Sequence, residues 1–252
     1  MSKKNNIGCV VIARTGSSRL PGKVLMPVKN EAMIIWLLKR ISKIKYFKSI
    51  VVATSKKKED NIIEKIVLKN KFKIFRGSEK NVVQRLYQAS KKFKFDTVVE
   101  ITADCPLIDP EIIEYCIETY LNNSAEYLNN CYIRSYPDGM DIQIFNIKIL
   151  KKTLQLTKRP EELEHIGLYQ MRNQSKFKTM NLISPKELHY PKLGLTLDET
   201  NDYILIKKII ENLGKKDRFF SCKKIINFLN KKKLYKLNSE VKRIGNQAFL
   251  KK

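Results

Sequence analysis

Residues 7–25 read IGCVVIARTGSSRLPGKVL. The opening run, 7–14, is almost wholly apolar and lacks the alternation of a half-exposed strand. It specifies a strand buried on both faces, as in a parallel sheet covered by helices. The stretch that follows changes chemistry at once. Gly16, Ser17 and Ser18 permit a tight backbone turn whose N–H groups can face an anion. Arg14, Arg19 and Lys23 add positive charge, the arginines as forks and the lysine as a point charge. Pro21-Gly22 sets the return of the chain beside Lys23. The spacing is neither G-x-x-x-x-G-K-[ST] nor G-x-G-x-x-G. A triphosphate site at the end of a buried strand is the chemical reading; a surface loop with ordinary basic residues is the other.

Working outward, strand-like and helix-like runs alternate. Residues 49–55 (SIVVATS), 71–77 (KFKIFRG) and 96–104 (DTVVEITAD) continue the strand pattern. Between and after them, 33–44, 58–70, 80–93 and 109–123 carry helical periodicity, the last with Asp109 as N-cap and Pro110 in the first turn. Four strand–helix repeats in succession specify a mostly parallel sheet with helices on both faces. The loops at 13–23 and 102–109 then meet at one edge of that sheet, where ligands bind in such folds. The second half is less regular. The turn signal Pro137-Asp138-Gly139 precedes an alternating strand, DIQIF (141–145). Residues 160–174 read as a helix, 178–184 and 193–198 (LGLTLD) as strands, and 200–213 as a helix capped by Thr200. We divide the chain into an α/β domain, 1–213, and a basic helical extension, 214–252, packed on the same domain.

The chain has 252 residues, long enough for a large core without disulfides or a structural metal. No apolar run reaches the roughly 18–20 residues of a membrane span, and the start lacks a signal-peptide pattern, so a cytoplasmic location is expected. Five cysteines stand singly without C-x-x-C spacing, as small buried hydrophobes in a reducing compartment would. The net charge of +25 invites a polyanionic partner. Lysines are spread throughout, however, and no aromatic-and-basic RNA-binding signature is present, so nucleic acid is not the favoured partner.

Read together, the segments ARTGSSRLPGK (13–23), IVVATS (50–55), IFRGSEKNVVQRLYQA (74–89), ITADCPLIDPEII (101–113), SYPDGMDIQIF (135–145), LEHIGLY (163–169) and LTLDETNDYILIKKI (195–209) resemble, in order, the sugar nucleotidylyltransferases that activate acidic sugars with CTP. These are the Kdo and acylneuraminate cytidylyltransferases, and the likeness is greatest to their spore-coat polysaccharide, SpsF-like branch. The resemblance implies a Rossmann-like, GT-A-like three-layer α/β/α fold. It also implies a cytidylyltransferase acting with Mg²⁺ (or Mn²⁺) on a nucleoside triphosphate and a sugar acceptor, and a possible homodimer.

The resemblance assigns Ile12, Ala13, Arg14, Thr15, Gly16, Ser17, Ser18, Arg19, Lys23, Arg76 and Asp104 to the nucleotide. Lys23, Arg14 and Arg19 stabilise charge on the leaving phosphates. Asp104 ends a strand at the mouth of the site and is a natural Mg²⁺ ligand; the resemblance pairs it with Asp198. From the residues alone, Asp198 reads equally as a helix cap. The resemblance implies an acceptor-sugar region at about 127–190, in which Asp138, Asp141, Glu164 and His165 fall, although a lone His on a helix is more often structural, and Arg85 reads as structural. The chain departs from its relatives in carrying Ile12, Thr15 and Ser18 where they have Gln, Met and Thr. It also has Leu163 and Gly167 where they have Arg and Thr, which bears on the acceptor. Two rival readings remain. A glycosyltransferase of similar fold needs a D-x-D motif, and position 102 is Thr. A basic nucleic-acid-binding protein would bind RNA in a salt-sensitive way without releasing pyrophosphate.

Overall fold

The computed structural model describes residues 6–243 and residue 250. The strands are β1 (Ile7–Ile12), β2 (Pro27–Val28), β3 (Glu31–Ala32), β4 (Ile50–Ser55), β5 (Lys73–Gly77), β6 (Thr97–Thr102), β7 (Tyr127–Asn129), β8 (Gln143–Asn146) and β9 (Thr179–Asn181). The helices are α1 (Met33–Ile41), α2 (Asn61–Lys69), α3 (Val82–Lys92), α4 (Pro110–Leu121), α5 (Ile147–Leu156), α6 (Pro160–Glu164), α7 (Leu168–Arg172), α8 (Thr200–Leu213) and α9 (Cys222–Lys232). Seven strands form one sheet in the order β5-β4-β1-β6-β8-β7-β9, and β2 and β3 form a separate small hairpin. Within the large sheet only β8 runs against both of its neighbours. The other pairings are parallel.

Alternation along the strands divides the core. Cys9, Val11, Val52, Val99 and Ile101 face one layer, with α1, α4, α8 and α9 packed over them. Val10, Val51, Ala53, Val98 and Phe145 face the other, covered by α3, α5 and α7. Both faces are therefore dry, which is why the opening run shows no polar alternation. Each fully buried Val, Leu or Ile contributes about 1.5–3 kcal/mol of burial energy. Ile225, Ile226 and Leu229 of α9 lie in the same cluster as α1 and β1. Arg40 of α1 ties this region down. Its buried guanidinium donates to the carbonyls of Ile108, Leu107, Arg218 and Phe220.

After β1 the chain builds β4 and β5 on one side, then returns to place β6 on the other. The order reverses between β1 and β6, and the loops that follow these two strands part there, opening a crevice at the strand C-termini. Asp109 caps α4 by accepting from Glu111 N–H and also accepts from Cys222 N–H, so one side chain orders the loop after β6 and the start of α9.

Several local expectations change. LGLTLD (193–198) is not a strand. It crosses the sheet's end, held by an isolated bridge between Asp138 and Gly194 and by Leu197 N–H donating to Asp104 O (2.8 Å). The helix read over 160–174 breaks into α6 and α7. Gly167 sits at φ 84°, and a Cβ there would collide with Tyr127 and Gln143, so the chain turns where a continuous helix would clash. The cap of α8 is Glu199, in a capping box with Asp202, rather than Thr200. The short strand β7 and the helix α5 complete the half whose pattern was least regular. Among the described residues, no helix is long and apolar enough to cross a membrane.

Candidate active site

The loop after β1 is closed by local bonds. Gly22 N–H donates to Thr15 O (2.9 Å), and Gly22, at φ 69°, starts the single 3-10 turn Lys23–Leu25. Asp60, just before α2, accepts from both the N–H and the hydroxyl of Thr15 (2.8 Å each) and from Ser55. Burial opposes ionisation of Asp60, but its bonds to Ser55 and Thr15 outweigh this and hold the carboxyl below its ordinary value. Thr15 is thus the anchor of the loop. Gly16 lies at its open tip, where an added Cβ would meet nothing.

This anchoring aims Lys23 at two carboxylates from distant segments. Its Nζ lies 2.7 Å from Asp104 Oδ2 and 2.9 Å from Asp198 Oδ1. Asp104 follows β6. Asp198 is brought beside it by the backbone bond from Leu197 to Asp104. Arg19 reaches Asp198 at 3.1 Å and Glu199 at 3.6 Å. Burial opposes the charge on Lys23, yet Asp104 and Asp198 outweigh it and raise its pKa. Burial likewise opposes ionisation of Asp198, but Lys23 and Arg19 hold its carboxyl below the usual range. The centre is a compact triad of one lysine and two carboxylates at the crevice floor.

Two adjoining cavities open from it. The larger, about 410 Å³, is lined by Ile12, Ala13, Arg14, Gly16, Ser17, Ser18, Arg19, Lys23, Arg85, Glu100, Asp104, Glu164, His165 and Asp198, among others. Its size suits a small-molecule ligand. The smaller, about 170 Å³, shares Arg19, Glu100, Asp104 and Asp198 and adds Arg134, Asp138, Asp141 and Arg243. A third, more apolar cavity of about 710 Å³ lies between residues 190–194 and α9; it meets the second at Arg134, Asp138 and Arg243 but is not lined by Arg14, Arg19 or Lys23.

Most of the residues expected from the sequence therefore come together, in two groups. Glu164 and His165 border the first cavity, because the break at Gly167 turns them inward. Asp138 and Asp141 border the second, where Arg134 grips Asp141 with two bonds of 2.9 Å and Asp138 with one of 3.1 Å. Burial, then the neighbouring Asp141, raises the Asp138 carboxyl. Burial, with Arg14 nearby, lowers His165.

Two expected nucleotide residues lie elsewhere. Thr15 is turned to Asp60. Arg76, on the edge strand β5, donates to the carbonyls of Ser55 and Lys57 and to Asn61 and Glu64. Arg85 takes the place on the cavity wall instead. It is 1% exposed, is held by Ser78 O and Glu79 O, and its Nε has no partner among the described residues. Burial, then repulsion from Arg14, lowers it to about 10. Sequence reading also passed over Glu100, Gln143, Arg134 and Arg243. A charged residue inside the buried run TVVEIT was the available signal for Glu100.

The oxygen donors at the triad fit a hard cation such as Mg²⁺ or Mn²⁺. Among the described residues no cluster of three or more acidic, His or Cys ligands exists. Asp104 and Asp198 would thus supply two ligands, leaving the others to phosphate and water, the usual arrangement for Mg²⁺.

With the geometry in place, comparison with known proteins is decisive. The cytidylyltransferase family model matches residues 8–226. The chain belongs to the cytidylyltransferase family. A solved cytidylyltransferase from Leptospira borgpetersenii is 33% identical, covers 95% of this chain and 99% of its own, and superposes with a TM-score of 0.87. The spore coat polysaccharide biosynthesis protein SpsF of Bacillus subtilis is 29% identical, over 90% of this chain and 95% of its own length. An uncharacterised protein of Methanocaldococcus jannaschii is 33% identical, over 95% and 94% respectively. The α/β nucleotidyltransferase fold and the enzyme class read from the sequence agree with this membership.

Proposed function

We propose that the protein transfers the cytidylyl group of CTP to a hydroxyl or phosphate oxygen of a sugar, releasing pyrophosphate, in surface polysaccharide or glycan biosynthesis. The observation that carries this reading is the convergence of Lys23, Asp104 and Asp198 at the end of β1 and β6, beneath a loop bearing Arg14 and Arg19. The acceptor oxygen forms a bond to the α-phosphorus as the α–β phosphoanhydride breaks. Mg²⁺ held by Asp104 and Asp198 would neutralise charge on the reacting phosphates. Arg14, Arg19 and Lys23 stabilise the charge that grows on the departing pyrophosphate. Arg85, whose Nε has no partner among the described residues, adds a donor to the same cavity. Backbone groups at Ile12 and Ala13 read the base, and Asp138, Asp141, Glu164 and His165 contact the acceptor.

We take residues 1–213 as the transferase unit and 214–252 as an extension packed on the same domain; that packing is supported by Ile225, Ile226 and Leu229 of α9, which lie in one core cluster with α1. The burial of the cysteines supports a reducing, cytoplasmic setting. A homodimer is inferred from the family resemblance alone, and sedimentation equilibrium checks it. Calorimetric titration with CTP, UTP, GTP and ATP in the presence of Mg²⁺ tests the nucleotide assignment. CTP is expected to bind tightest, because a pyrimidine fits the smaller base site and wrong donors and acceptors leave backbone groups unpaired. Preference for a purine triphosphate sinks the cytidylyl assignment.

A further inference from the structure

Asp198 lies on a stretch, 193–198, that forms no strand. Its place beside Asp104 therefore depends on bonds from outside the sheet. One side of the stretch is fastened by the bridge of Gly194 to Asp138 and by the bond from Leu197 N–H to Asp104 O. The other side is held by Asp202, fully buried in the first turn of α8. Asp202 Oδ2 accepts from the N–H groups of Asp198 (3.1 Å) and Glu199 (3.0 Å).

The C-terminal extension takes the other oxygen of Asp202. Its Oδ1 accepts from Asn238 Nδ2 at 2.7 Å and from Arg243 Nη2 at 2.6 Å. The Asn238 amide also donates to Gly194 O at 3.0 Å. Arg243 Nη1 donates to the Thr196 hydroxyl at 2.8 Å, and that hydroxyl donates to Asp198 Oδ2 at 3.2 Å. The guanidinium fills the space that a side chain at Gly194 would need, since an added Cβ would come within 2.1 Å of three of its atoms. Arg243 thus reaches Asp198 by two routes. One runs through Asp202 to its backbone N–H, the other through Thr196 to its carboxylate. The remaining oxygen, Asp198 Oδ1, faces Lys23 and Arg19.

We propose that Arg243 and Asn238 are positioning residues, and that through them the basic extension sets the Asp198 carboxylate for Mg²⁺. The inference rests on the cytidylyl-transfer reading, in which Asp104 and Asp198 hold the ion. Asp202 is the pivot. A carboxylate out of water needs its hydrogen-bond partners and its counter-charge, and the extension supplies both. Asp202 in turn fixes the backbone at 198 and 199. Partners behind a metal ligand orient it, and their loss weakens the metal while the ligand itself stays in place. Arg243 lines the smaller cavity and not the larger, so its effect on the nucleotide runs through Asp198.

The test begins with calorimetric titration of the full chain with CTP and Mg²⁺; failure to bind removes the transfer reading and takes this inference with it. Mn²⁺ bound to the CTP-saturated protein is then measured by electron paramagnetic resonance, which needs no acceptor. Arg243→Met should raise the Mn²⁺ Kd about 10-fold or more, while the CTP Kd without metal stays within about 2-fold. Thr196→Val cuts the second route and leaves Asp202 its partners, and should raise the Mn²⁺ Kd about 5-fold. Arg243→Lys keeps the charge but not the fork that spans Asp202 and Thr196, and should fall between wild type and Arg243→Met. A panel of acidic and amino sugars supplies the best acceptor by pyrophosphate release, and with it the Mg²⁺ concentration for half-maximal turnover should rise by the same factors. Mn²⁺ affinity within about 2-fold of wild type in folded Arg243→Met overturns the proposal. So does an equal loss of metal-free CTP binding, which would give Arg243 a merely structural part. If Arg243→Met fails to fold, Arg243→Lys and Thr196→Val decide by the same measure, and wild-type Mn²⁺ affinity in both overturns it.

Discussion

Replacing Glu100 by Gln should alter how stability depends on pH, by an amount the structure sets. Burial raises the carboxyl from its ordinary 4.5 to about 8; the bond from Gln143 opposes the rise, and Asp104 and Asp141 add to it. The titratable neighbours also include Cys9 and Tyr127, both pushed up by burial and by Glu100 itself. Between the two values the folded protein keeps a proton that the unfolded chain has lost. Stability is therefore complete below 4.5 and falls as pH rises toward about 8. The slope is about 1.4 kcal/mol per pH unit, giving roughly 4 kcal/mol between about pH 5 and about pH 8. Gln has no proton to exchange. Urea unfolding of both proteins across this range, without nucleotide, should show the wild type losing that much relative to Glu100→Gln. A difference that stays flat within about 1 kcal/mol would show that Glu100 ionises freely and refute the burial reasoning.

Lys23→Met should lower turnover by about 100-fold or more, the scale of one lost charge-stabilising group, measured as pyrophosphate release. Asp104→Asn and Asp198→Asn should each abolish turnover and weaken Mg²⁺-dependent CTP binding, and the double variant should be no worse than either single one, because both serve one centre. Gly167→Ala should cost about 2–4 kcal/mol in chemical unfolding, since a Cβ there meets Tyr127 and Gln143 and the backbone is left-handed. Arg76→Ala should leave the CTP Kd within about 2-fold, because its bonds run to Ser55, Lys57, Asn61 and Glu64 on the outer face, and only the surface pairs are lost.

The first half of the fold was open to reading because each element there obeys one period. The runs at 7–14, 49–55 and 96–104 are buried on both faces, and the helices between them are amphipathic. The loop chemistry of Gly16 to Lys23 was legible for the same reason, since small residues and cations cluster where a strand ends. The second half hid its turns. The stretch from Pro160 to Gln174 keeps a helical rhythm through Gly167, and only the clash with Tyr127 and Gln143 across the sheet forces the break. Leu193 to Asp198 alternates like a strand, yet it lies across the sheet's end and bonds to loops. Arg76 and Arg85 differ in role because β5 is an edge strand whose side chain at 76 turns outward, while α3 buries residue 85 against the crevice. Spacing along the chain does not contain that information. Glu100 was visible as a lone charge in a buried strand, but its bond to Gln143 emerges only once β8 lies beside β6.

The most direct test of the triad at Lys23, Asp104 and Asp198 as a cytidylyl-transfer centre is a product measurement. The protein is incubated with CTP, Mg²⁺ and the best acceptor, and the products are weighed by mass spectrometry alongside pyrophosphate. One CMP joined covalently to each acceptor consumed, with one pyrophosphate released, is the expected result, lost in Lys23→Met. Free CMP without an acceptor adduct, or the same adduct formed at an undiminished rate by Lys23→Met, would contradict it.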